Sequence, residues 1–145
     1  MVKTLALMVL FATSSSFSGT WGGDHYRVYV NNKLVLEQFV HGQKAIPTVQ
    51  LDQRSPNDQV SVYYSHCGKV GSARHLTVKD AQGKALKTWN FADGSLDVPM
   101  TCRAKDIVSL QKGSEKLAMY YSAKELPDGK KLVSIVVGKD IVGQP

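Results

Sequence analysis

Two cysteines in 145 residues are too few for a disulfide-dense mini-domain. The chain has no polar, glycine-serine or proline tract, and 43% hydrophobic with 21% charged residues excludes a disordered polymer. No stretch carries an amphipathic pattern over three helical turns, which excludes Rossmann-type folds and helical repeats. Beyond residue 19 no apolar run reaches the roughly 20 residues of a membrane-spanning helix. Arginine is scarce, with Arg27, Arg54, Arg74 and Arg103 only, and Lys130-Lys131 is the sole adjacent basic pair. Nucleic-acid binders concentrate arginine and lysine on one face, so the excess of 18 basic over 12 acidic side chains reads as a solvated surface, and no nucleic-acid partner is expected.

What is present begins with an address. Lys3 precedes an apolar stretch, Leu5 to Ala12, followed by the small residues Thr13, Ser14, Ser15 and Ser16. Charged start, short apolar run and small-residue cleavage region are the layout of a secretory signal. The expectation is a cleaved signal peptide over 1–18 and a mature domain over 19–145, exported to the periplasm or beyond the cell and not embedded in a membrane. Removal of Lys3 leaves 17 basic against 12 acidic residues, a net of 17 − 12 = +5.

From His25 onward the hydrophobic period is two, the period of strands. His25 to Val30 places Tyr26, Val28 and Val30 on one face and His25, Arg27 and Tyr29 on the other. Asn31-Asn32 tolerates positive φ, so Leu34 to Val40 is expected to return as a hairpin. Ala45 to Leu51 reads as a strand that Pro47 marks as an edge or a strand start, because proline cannot donate to a ladder. Gln59 to Ser65, Ala73 to Lys79 and Lys84 to Phe91 follow, separated by a loop over 52–58, a glycine break over 68–72 and a turn over 80–83. The stretch after a turn at 92–95 is irregular as far as Cys102. Asp106 to Leu110 and Glu115 to Ser122 read as strands, Leu126-Pro127-Asp128-Gly129 as a turn, and Lys131 to Val137 as the last strand.

Eight or nine short strands with glycine-bearing turns predict one all-β domain, an antiparallel β-sandwich of immunoglobulin-like or jelly-roll-like type, with a barrel as the alternative. The cadence of Ala73 to Phe91 is similar to that of immunoglobulin-like bacterial modules, a likeness of architecture that implies no activity.

The candidate site residues follow from chemistry. In an oxidising compartment the simplest expectation for Cys67 and Cys102 is one disulfide, worth roughly 3–4 kcal/mol for a loop of about 36 residues. The rival is copper or zinc held by His66, Cys67, His75 and Met100 or Cys102, which requires Gly68 to bend the chain, since neighbours on a strand point to opposite faces. No nucleophile, base and oxyanion donor assemble from Ser65-His66-Cys67, so an unrecognised hydrolase is a third reading that needs a cleft joining His66 or His75 to a carboxylate. Of Tyr63-Tyr64 and Tyr120-Tyr121, one ring in each pair faces the core and one faces out. Trp21, Tyr29, Tyr63 and Tyr120 form the expected binding surface, because amphipathic rings give contact area at low entropic cost. The leading expectation is an exported accessory module, binding or structural, without catalysis or cofactor, that meets a protein or glycan of the cell envelope.

Overall fold

A computed structural model describes residues 23–43, 45–52, 57–113 and 115–138. Among them are nine strands and one helical turn: β1 (His25–Val30), β2 (Lys33–Phe39), β3 (Thr48–Asp52), β4 (Gln59–Ser65), β5 (Arg74–Lys79), β6 (Ala85–Phe91), β7 (Met100–Arg103), α1 (Ala104–Val108), β8 (Leu117–Ala123) and β9 (Leu126–Gly138). They form a four-stranded sheet, β2-β1-β4-β7, and a five-stranded sheet, β3-β9-β8-β5-β6. The expected sandwich is therefore the fold, and among the described residues no ladder joins the two sheets into a barrel.

Period-two alternation builds the core. Tyr26, Val28, Val60, Val62 and Tyr64 from the first sheet, with Met100 and Cys102, face Leu76, Val78, Met119, Tyr121 and Ile135 from the second, all buried. Tyr64 and Tyr121 stack across the sheets with ring centroids 4.0 Å apart, and the Tyr26 hydroxyl donates to the Leu132 carbonyl at 2.7 Å. Asn31 and Asn32 take φ of 51° and 63°, the positive values a two-residue hairpin needs.

Three local expectations are corrected. Ala104 to Val108 is a helical turn where a strand was expected from Asp106. Ala104 and Ile107, three residues apart, bury together, while the Arg103 side chain reaches Asp106 at 3.2 Å. Leu126 to Gly129 is no turn: the chain reverses at Lys124-Glu125, and Pro127, Asp128 and Gly129 bulge opposite Ser122, with Gly129 at φ 74°. The sandwich is also not wholly antiparallel, because the edge strand β3 pairs parallel with β9. No helix among the described residues is long and apolar enough to cross a membrane. The expected signal segment, 1–18, lies outside the described residues.

Candidate functional site on the face of the four-stranded sheet

β1 and β4 are the two central strands of their sheet, and the same alternation that buries Tyr26 and Val28 turns His25, Arg27 and Tyr29 outward. Register sets His25 opposite Ser65, Arg27 opposite Tyr63 and Tyr29 opposite Ser61. The guanidinium of Arg27 lies 5.0 Å over the Tyr63 ring and 5.9 Å from that of Tyr29, and Nη1 donates to the Tyr29 hydroxyl at 3.3 Å. The two rings meet edge to face at 5.5 Å. Such contacts fix side chains that would otherwise sweep freely over a flat sheet.

The β6–β7 connection supplies a wall. Asp97 and Pro99 from it, with Asn32 from the β1–β2 turn, close a cleft of about 460 Å³ around Arg27, Tyr29, Ser61 and Tyr63. A second hollow of about 200 Å³ adjoins it, sharing Arg27 and Tyr63 and adding His25, Tyr64, Ser65 and Leu96. The wall is held from inside the sandwich. Arg74, 2% exposed, donates to the carbonyls of Ala92 at 2.9 Å and Val98 at 3.3 Å, and Asp93 accepts from the Ala73 N–H at 2.9 Å. The floor is braced by a 2.9 Å hydroxyl pair between Ser61 and Thr101.

Two of the four expected binding residues thus meet, Tyr29 and Tyr63. Tyr120 lies elsewhere: β8 belongs to the other sheet, and the ring sits under Lys79 Nζ at 4.3 Å on the opposite outer surface. Trp21 lies outside the described residues. Arg27 was missed, although its place two residues before Tyr29 on the outward face of one strand was readable.

The expected disulfide is not formed. Cys67 is exposed and Cys102 buried, both free thiols. The reason is register. Cys102 pairs with Val60 at the start of β4, whereas Cys67 lies beyond its end, so roughly 16 Å or more of strand separates two residues that a disulfide would hold within about 7 Å. Burial pushes the Cys102 thiol up to about 12, with Asp106 adding to the rise and Lys87 opposing it.

The expected metal ligands are likewise dispersed. Met100 is buried in the core, His75 bonds Asn90 at 2.6 Å on the outer face of the five-stranded sheet, and His66 sits at the sandwich end. Among the described residues no three His, Cys, Asp or Glu side chains converge as a metal requires. His66 does meet a carboxylate, its Nδ1 lying 3.5 Å from Asp24, but its Nε2 is bonded to the Tyr121 hydroxyl at 2.8 Å. Tyr64 donates to the same Asp24 at 2.8 Å. Burial pushes the hydroxyls of Tyr64 and Tyr121 far above the usual tyrosine range, so both are neutral. With Nε2 on the buried Tyr121 hydroxyl and Nδ1 facing Asp24, His66 braces the two sheets against each other. His25 bonds Glu37 at 2.9 Å beside the smaller hollow, yet Ser65 Oγ opposite it accepts the Gly68 N–H at 2.8 Å. No hydrogen bond joins that serine to the His25 ring among the described residues, so a nucleophile and base pair is not assembled there.

No protein-family model matches the sequence, and no curated protein does.

Proposed function

We propose that this protein is an exported binding module, without catalytic activity of its own, that engages a partner of the cell envelope through the cleft on the four-stranded sheet. The observation that carries this reading is the convergence of Arg27, Tyr29 and Tyr63 in a 460 Å³ cleft on a solvent face. Its size falls within the roughly 300–1,000 Å³ of small-ligand sites, and its lining is the mixture of aromatic surface with a few convergent polar groups on which recognition depends. The apolar run at Leu5 to Ala12 with its small-residue flank supports export.

The test has two arms. Chain recovered from the medium or periplasm of the producing cell is expected to begin near Gly19, by N-terminal sequencing. Immobilised envelope fractions are expected to retain the wild-type chain and release a folded Tyr29→Ala/Tyr63→Ala variant. Cytosolic chain with Met1 intact overturns export, and equal retention of both proteins overturns the cleft.

A further inference from the structure

The chemistry of the cleft is set by a guanidinium with little to do. Arg27 is the only cation among the cleft's lining residues. Of its five N–H donors, one is used within the described residues, by the Tyr29 hydroxyl, and no carboxylate among those residues lies within ion-pair distance. Glu37, its partner in the β1–β2 register, is held by His25 at 2.9 Å. The contrast with Arg74 is informative: that guanidinium is spent on backbone carbonyls. The guanidinium carbon lies over the Tyr63 ring, and the donors beyond the one spent on Tyr29 are available to receive a carboxylate through two parallel hydrogen bonds.

The rest of the lining selects what carries that carboxylate. Asn32, Ser61 and Asp97 offer amide, hydroxyl and carboxylate partners for hydroxyl groups, and the Tyr29 ring offers an apolar surface. Asp97 also disfavours a second negative charge, which argues against a phosphate monoester. Beside Ser61 a peptide strand cannot add to the sheet, since β1 is flanked by β2 and β4 and the Gln59 to Val62 part of β4 is already paired with β7.

Resting on the cleft reading above, we propose that the site binds a uronic-acid residue of an acidic polysaccharide, its carboxylate on Arg27 and its hydroxyls on Asn32, Ser61 and Asp97. The purified chain is titrated with tri-galacturonic acid, its fully methyl-esterified form and neutral galactotriose, with tri-glucuronic and tri-mannuronic acids as further acids. Calorimetry gives affinity, and amide chemical shifts of β1 and β4 report location. At least one acid is expected to bind with shifts at Arg27, Tyr29 and Tyr63, and to weaken with added salt. For galacturonate the ester pair isolates the charge, with esterification costing about tenfold. Arg27→Lys, which keeps the charge and loses the planar fork, is expected to weaken acid binding about tenfold with unchanged spectral dispersion. Neutral sugar and ester binding as tightly as the acids, at the same residues, overturns the carboxylate proposal and leaves the cleft reading standing. Failure of all three acids overturns the proposal. If envelope fractions also retain wild type and the tyrosine variant equally, the cleft reading falls with it.

Discussion

Gly71 shows how much one missing side chain can decide. A Cβ there would collide with the Tyr121 hydroxyl, while Ala123 Cβ and His66 Nε2 stand 2.9 Å from it. The hydroxyl and imidazole that would have to move are the pair joining the two sheets at this end of the sandwich. Gly71→Ala is therefore expected to lower unfolding free energy by about 1–3 kcal/mol, as overpacking does, in a urea titration. A wild-type midpoint would show that this end relaxes freely. The two thiols make a second residue-scale prediction. Cys67, exposed at the β4–β5 turn, is expected to alkylate in the native protein, and Cys102 only after denaturation. Protection of both until a reductant is added would overturn the unpaired arrangement.

At the scale of elements, the β1–β2 hairpin is specified by two asparagines. Asn31 adopts φ 51°, accepts the Gln59 N–H on its side-chain oxygen at 2.9 Å and donates its amide to Asp58. Alanine lacks both bonds and disfavours the left-handed region by about 1–2 kcal/mol. Asn31→Ala is expected to destabilise the fold by about that amount in chemical denaturation, and because Asn32 lines the cleft, to loosen binding there as well. Elements that sequence misassigned failed for a shared reason. Five residues of α1 hold too few turns to distinguish a period of 3.6 from one of two, and Pro-Asp-Gly composition serves a bulge as well as a turn. By contrast, Gln59 to Ser65 was legible to the residue, because Val60, Val62 and Tyr64 alternate with polar neighbours over the whole strand.

The whole molecule carries a pH signature through its tyrosine core. Burial raises the hydroxyls of Tyr26, Tyr64 and Tyr121 above the ordinary value of 10.0, so the folded chain keeps protons that the unfolded chain releases. Their contribution to stability is complete below pH 10 and is lost as pH rises toward the folded values, at up to about 1.4 kcal/mol per pH unit for each ring. Cys102, pushed up to about 12 from 9.0, acts in the same direction. Alkaline unfolding is expected to coincide with a cooperative phenolate absorbance step, and Tyr26→Phe is expected to reduce its height. Gradual ionisation of all the tyrosines before unfolding would contradict the buried cluster.

The all-β class, the outward and inward ring of each tyrosine pair, the asparagine hairpin and the edge position of the Pro47 strand were legible along the chain, because each depends on residues close together in it. The remaining features came from the pairing of strands far apart in the chain. Placing β4 beside β1 brought Tyr63 to Arg27 and Tyr29, placing β8 in the other sheet took Tyr120 away, and the length of β4 separated Cys67 from Cys102. Those outcomes turn on which strand pairs with which, and in what register. A period-two pattern is the same for every possible neighbour, so only the closing of the two sheets around one core could choose among them.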